Sequence, residues 1–148
     1  CEVTDEEFAL ARSRLDALSG DPANRWQIAW EQAVVNRYRR QQAGSTEPWK
    51  MELHVIRLGD VAIATNDFEL FTEFGVQMKA RSKAVQTFVV QLAGPGTYVP
   101  TQKAVDGGGY GAIGESRVVG PEGGQVRAER TVETINTLWD HASKAESR

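Results

Sequence analysis

Apolar positions in this chain switch between helical and strand spacing, and the switches mark its elements. Phe8, Ala11, Leu15 and Leu18 recur at three- and four-residue steps, which places them on one helical face. Thr4-Asp5-Glu6-Glu7 stands before them as a capping box, with the Thr4 hydroxyl accepting from the Glu7 amide while the Glu7 carboxylate reaches back. Ser19-Gly20 is the expected stop. Asp21-Pro22 opens a second helix, Asp21 as N-cap and Pro22 preset for the first turn. Its expected apolar stripe is Trp26, Ala29, Trp30, Ala33 and Val34, with both tryptophans read as core. Arg37, Arg39 and Arg40 close it, where cations suit the helix dipole. A solvated helix end accounts for them; an anion or lipid-headgroup contact is the functional alternative.

After the polar loop from Gln41 to Glu47 the period becomes two. Met51, Leu53 and Val55 alternate with Glu52, His54 and Ile56, which predicts a strand from Trp49 to Leu58. His54 shares a face with Glu52 and reads as a surface or structural histidine. Gly59-Asp60 is a two-residue hairpin signal, and Val61 to Thr65, apolar on both faces, predicts a central strand. Asn66-Asp67 breaks it and is positioned to cap a helix from about Phe68 to Ala80, with Phe71, Phe74, Gly75 and Met78 on one face. Gly75 inside a helix costs about 1 kcal/mol against alanine, which predicts another element packed closely against it. Val85 to Ala93 has nearly unbroken β propensity and predicts a second central strand. The strand–helix–strand order implies a right-handed βαβ crossover between parallel strands.

Gly94-Pro95-Gly96-Thr97 is a turn, and Thr101 caps a short helix over Gln102 to Val105. Gly107-Gly108-Gly109 leads into Tyr110, and Ile113 to Val119 has no decisive pattern. Pro121-Glu122 opens a long last helix with Val126, Val132, Ile135, Leu138, Trp139 and Ala142 inward, its tail from His141 expected to fray. The sum is a mixed α/β fold: a central mixed sheet with a βαβ unit, two N-terminal helices and a long C-terminal helix. A helical hairpin (1–44) and an α/β part (48–148) are expected to form one domain.

Composition narrows the function classes. A chain of 148 residues can bury a real core, and 41% apolar with 25% charged residues is the balance of an ordinary globular protein. A net charge of −3 gives no broad nucleic-acid footprint, and no apolar run is long enough for a membrane span. The polar, acidic opening does not read as a signal peptide. Cys1 is the only cysteine, so neither a disulfide framework nor a cysteine metal cluster is expected. It reads as an arbitrary chain boundary, a lipid-carrying first residue, or an N-terminal nucleophile. Two histidines, His54 and His141, are too few for a self-contained histidine metal site. The glycine run lacks both phosphate-loop and dinucleotide-binding spacing.

Candidate chemistry concentrates between Val61 and Tyr110. Glu69 is expected just after a central strand, in the first turn of a helix, where side chains face the ligand crevice of an α/β sheet and the helix dipole favours a carboxylate. Such a group caps its own helix, binds a metal or acts as a base; a solvated helix-start acid is the plainer alternative. Tyr98 and Tyr110 flank glycine-rich loops that display their hydroxyls.

RLGDVAIAT, a glutamate six residues before Gly75, GVQMKARS, TFVVQLA, YVPT, GGGY and VGPEGG together resemble neutral (non-lysosomal) ceramidases, closest to their short bacterial homologues. The likeness runs from Arg57 to about Gly124, in the C-terminal part of that family's catalytic domain. It implies that Glu69 and Tyr98 are ligands of a catalytic zinc, with the histidine ligands outside this chain. It further implies that Tyr110, twelve residues beyond Tyr98, lines the site and hydrogen-bonds the developing oxyanion. Asp67-Phe68 stands where the family tends to have Pro-Gly, and Gly94-Pro95-Gly96 replaces its asparagine- and aromatic-containing turn. The family's immunoglobulin-like domain has no counterpart here. The activity so implied is zinc-dependent hydrolysis of an N-acyl (sphingo)lipid amide, with this chain the C-terminal fragment and inactive alone. The partners implied are the missing N-terminal part of the same protein and the N-acyl lipid, with no nucleic acid. A homo-oligomer through exposed apolar surface is the substitute for the missing part, and a secreted or periplasmic location follows from the resemblance. From another class, a non-catalytic α/β structural or interaction module makes Glu69, Tyr98 and Tyr110 structural.

Overall fold

A computed structural model gives the fold for residues 2–18 and 21–146, with side chains described to position 141. Helix α1 (Asp5–Leu18) starts on the expected capping box: the Glu7 amide donates to Thr4 Oγ1 at 3.1 Å, and the Thr4 amide donates to Glu7 Oε2 at 3.0 Å. Cys1 and the Ser19-Gly20 stop lie outside the described residues. Asp21 accepts from the Ala23 amide at 2.8 Å and caps a single 3-10 turn (Pro22–Asn24), which runs into α2 (Arg25–Gln42). The two helices form a hairpin over Val3, Ala11, Val34 and Val35, with Phe8 stacked on Tyr38 at 4.2 Å.

The buried stripe of α2 differs from the expected one. It consists of Glu31, Val34 and Val35, while Ala29 and Ala33 face solvent and Trp26 is 58% exposed. The tryptophans lie on a different face from α1, so helical spacing grouped them with Val34 although another surface claims Trp30.

Strands β1 (Val55–Leu58) and β2 (Val61–Thr65) form the predicted hairpin, antiparallel from Val55↔Ala64 to Leu58↔Val61. A short strand β3 (Glu69–Leu70) follows, then α3 (Thr72–Arg81) and β4 (Gln86–Val90). β4 runs parallel to β2, from Val61↔Gln86 to Thr65↔Val90, which makes the βαβ unit of a mixed sheet ordered β1-β2-β4. Three expectations are corrected. The first strand begins at Val55, because residues 47–54 cross the surface without regular pairing. The strand of residues 86–90 is an edge strand, as no further strand pairs with it among the described residues. The helix begins at Thr72, so Glu69 is a strand residue and receives no helix dipole.

Helix α5 (Pro121–Glu146), continuous past the expected fraying point, packs on one face of the sheet, where Ala62 and Ala64 meet Ile135. It also closes the larger core of Phe68, Leu70, Phe74, Met78, Val99, Ala128 and Val132. Val126, expected inward, is 57% exposed, and the Ala142 side chain lies outside the described set. Gly124 permits the closure: a Cβ there would collide with the Phe74 ring and with Val99. Gly75 does the opposite of what its helix position predicts, since a Cβ there would meet nothing within 4 Å.

The opposite sheet face carries Ile56, Ile63 and Phe88 in one cross-strand row and Leu58 beside Val61 in the next. Ile56, Leu58 and Phe88 are exposed at 56%, 70% and 52%. A sheet ordinarily buries at least one apolar face against another layer, and here the second face is apolar as well.

Candidate functional site

Glu69 and Tyr98 meet because two short strands pair. β3 and β5 (Tyr98–Val99) form a parallel two-stranded ladder with Glu69 opposite Tyr98 and Leu70 opposite Val99. Glu69 donates its amide to Thr97 O at 3.0 Å and Phe71 donates to Val99 O at 3.1 Å. The turn between β4 and β5 wraps tightly round the start of β3. Gly96 donates to Asp67 O at 3.1 Å, and a Cβ at Gly96 would strike the Asp67–Phe68 backbone, so only glycine fits. The Gln91 side chain accepts from the Leu70 amide, which satisfies a donor the two-residue ladder leaves open.

Successive side chains of a strand point to opposite faces. Glu69 and Tyr98 therefore share one side of the ladder, and Leu70 and Val99 share the other. On the first side lies a pocket of about 190 Å³ that also takes in Tyr110, Trp30, Leu92, Glu115 and Ser116. Tyr110 opens a 3-10 turn (Tyr110–Ala112), and its ring sits edge-on to Tyr98 with centroids 5.9 Å apart. Gly111 allows this approach, since a Cβ would press on Phe71 and on the Tyr98 ring. Trp30 closes the aromatic rim, 6.1 Å from Tyr110. All three residues singled out in the sequence thus converge, although the structure sets Glu69 in a strand rather than a helix.

The negative charge of Glu69 holds the Tyr98 phenol above its ordinary pKa, and desolvation and hydrogen bonding to Glu69 add to the shift. Tyr98 therefore keeps its proton more firmly than a free phenol does. Glu115 brings a second carboxylate to the pocket. Its side chain is only 9% exposed and pairs with Arg14, which also reaches Glu31 at 3.3 Å. The Ser116 hydroxyl is buried and has no hydrogen-bond partner among the described residues. Leu92 adopts φ 54°, a left-handed conformation that costs a branched side chain roughly 1–2 kcal/mol. Strain of this kind tends to gather at functional sites.

Glu115, Ser116, Trp30 and Leu92 were not singled out from the sequence. Glu115 and Ser116 fall in the patternless run before Pro121, and no local signal brings that run to β5. An isolated parallel bridge between Tyr98 and Arg117 does.

Fit to zinc divides in two. Glu69 and Tyr98 bring two oxygen-bearing side chains to one side of the ladder. No group of three or more histidine, cysteine, aspartate or glutamate side chains gathers among the described residues. His54 is exposed on Glu52 at 2.9 Å and His141 is exposed on α5, both outside the pocket. Neither histidine stands beside the Glu69–Tyr98 pair.

The fold and pocket define a mixed α/β protein with a carboxylate–tyrosine–tyrosine surface. Set beside protein-family models, curated proteins and solved structures, the chain matches none.

Proposed function

We propose that this chain is the C-terminal portion of a zinc-dependent ceramidase-like amidohydrolase acting on an N-acyl lipid amide. What carries the reading is the convergence of Glu69, Tyr98 and Tyr110 in one pocket from three separate elements, in the register the family motifs require. Glu69 and Tyr98 would hold the metal together with histidines from the upstream part of the protein. Zinc, when bound, polarises an amide carbonyl and brings a bound water's pKa toward neutrality. Tyr110, exposed at the rim, would donate to the developing oxyanion. The upstream part is also the proposed cover of the open apolar sheet face, with self-association as the substitute when it is absent.

The test is zinc content and N-acyl-amide hydrolysis by the complete protein. Glu69→Gln and Tyr98→Phe should each lower zinc occupancy and cut turnover by about a hundredfold or more, as loss of a metal-site or oxyanion group does. Stoichiometric zinc with unchanged turnover in both variants would reject the site.

A second reading is a non-catalytic interaction module. The pairing of Glu69 with Tyr98 in the β3–β5 ladder, a structural role that needs no ligand, favours it. Under that reading both variants lose fold stability, and the complete protein neither binds zinc nor cleaves amides.

A further inference from the structure

Aromatic rings from three separate elements meet at the Glu69–Tyr98 pocket. Trp30 of α2, Tyr98 of β5 and Tyr110 of the 3-10 turn line it together with Glu69 and Glu115. Tyr98 and Tyr110 stand nearly perpendicular, at 77°, and Trp30 is tilted by 38° from Tyr110. The three rings are therefore walls of different orientation and not one stack. Two further rings back them: Trp26 stands edge-on to Trp30 at 5.6 Å, and Phe71 edge-on to Tyr98 at 6.5 Å. Much of this aromatic surface meets water, since Trp30 is 37% exposed and Tyr110 is 60% exposed. Exposed rings gathered in one place mark a surface for a ligand to cover.

The charge around these rings is of one sign. Two carboxylates line the pocket, and no lysine, arginine or histidine does. Glu115 is already paired with Arg14 of α1. Glu69 makes no ion pair among the described residues. The Tyr98 hydroxyl hydrogen-bonds to it, which takes up only one of a carboxylate's roughly four acceptor sites. The raised pKa of Tyr98 reflects the same negative field, to which Glu69 contributes most. An electron-rich ring face attracts a cation through its quadrupole, and a nearby carboxylate adds to that attraction. At about 190 Å³ the pocket lies below the roughly 300–1,000 Å³ of drug-sized ligand sites, so it suits a small head group.

We infer that this pocket binds a small quaternary ammonium group, its methyl groups against Trp30, Tyr98 and Tyr110 and its charge beside Glu69. A primary ammonium is a compact, strongly hydrated charge that needs hydrogen-bond acceptors on all its protons. A quaternary one has no proton to satisfy and is held by ring faces. A bare metal ion is the poorer match for the chain alone, since no three histidine, cysteine, aspartate or glutamate side chains gather among the described residues. An anionic ligand meets Glu69 as a like charge. The inference goes beyond the hydrolase reading: it needs neither zinc nor the upstream part, so either can fail without the other.

The 148-residue chain, kept free of metal with a chelator, serves for the test. Choline, its uncharged carbon isostere dimethylbutanol, acetate and glucose are titrated by calorimetry, with broadening of the ligand's NMR signals as a second readout. Choline should bind saturably, and dimethylbutanol roughly tenfold or more weakly, because the isostere keeps the shape and loses the charge. Acetate and glucose should show no saturable binding. Trp30→Leu and Tyr110→Leu should each weaken choline roughly threefold or more, and Glu69→Gln by about as much. Tyr110→Phe should recover most of what Tyr110→Leu loses, because the ring remains. Tyr110 is exposed, so its variants report binding even where a change at Glu69 disturbs folding. Equal affinity for choline and dimethylbutanol would overturn the inference, as would glucose binding as tightly as choline, the mark of a sugar-stacking surface. Choline affinity unchanged in both leucine variants, or no choline binding at all, would overturn it too.

Discussion

Glu31 is the residue whose surroundings are most at odds with its charge. Burial raises its carboxyl pKa above the ordinary 4.5, the neighbouring charge of Glu115 raises it further, and Arg14 offsets only part. The folded state therefore binds this proton more tightly than the unfolded chain does. The resulting stabilisation is complete below 4.5 and is lost as pH rises through the raised value. Glu31→Gln removes the ionisation while Arg14 keeps Glu115 as partner. Its denaturation midpoint should exceed the parent's near neutral pH, and the gain should vanish below 4.5. A gain that stays constant across that range would mean Glu31 is not the titrating group. Nothing in the sequence marks this residue, because its neighbour Glu115 is far away along the chain and arrives through tertiary packing.

Elements divide by how local their causes are. Helix α1 starts where Thr4 and Glu7 place it, and the Asp21 cap and the β1–β2 hairpin follow from residues within one turn of each other. β2 and β4 were legible as runs of branched and aromatic side chains. The β3–β5 ladder was not, since two residues per strand leave no period to detect, and the glycine turn that imposes it acts across space. Glu69, Tyr98 and Tyr110 were singled out through the register of family-like motifs, and their common pocket is visible only in the fold. Glycines show the same division at the level of packing. Gly75 occupies open space in α3, so Gly75→Ala should stabilise the chain by about 0.5–1 kcal/mol through backbone entropy alone. Gly124 touches Phe74 and Val99 across the core, so Gly124→Ala should cost about 1–3 kcal/mol by overpacking. Urea denaturation of the two variants checks both signs, and a loss at Gly75 would reveal a neighbour that this chain does not supply.

At the scale of the whole molecule, the helices cover one side of the three-stranded sheet and leave the other side and the β4 edge without a protein layer among the described residues. The segment forming that edge, Val85 to Leu92, reads VQTFVVQL, with no charge, no proline and no glycine. Such a stretch has the composition of cross-β zipper segments, and natural proteins normally guard it with charged or proline gatekeepers. Left alone in concentrated solution, the chain should therefore convert slowly to species that bind amyloid dyes. Phe88→Lys should suppress that conversion while changing unfolding stability by no more than about 0.5 kcal/mol, because Phe88 is already half exposed. If the unaltered chain stays monomeric and dye-negative, the edge is protected after all. Otherwise the open sheet face carries a colloidal hazard, and any layer that covered it would act as a solubility factor as much as a structural one.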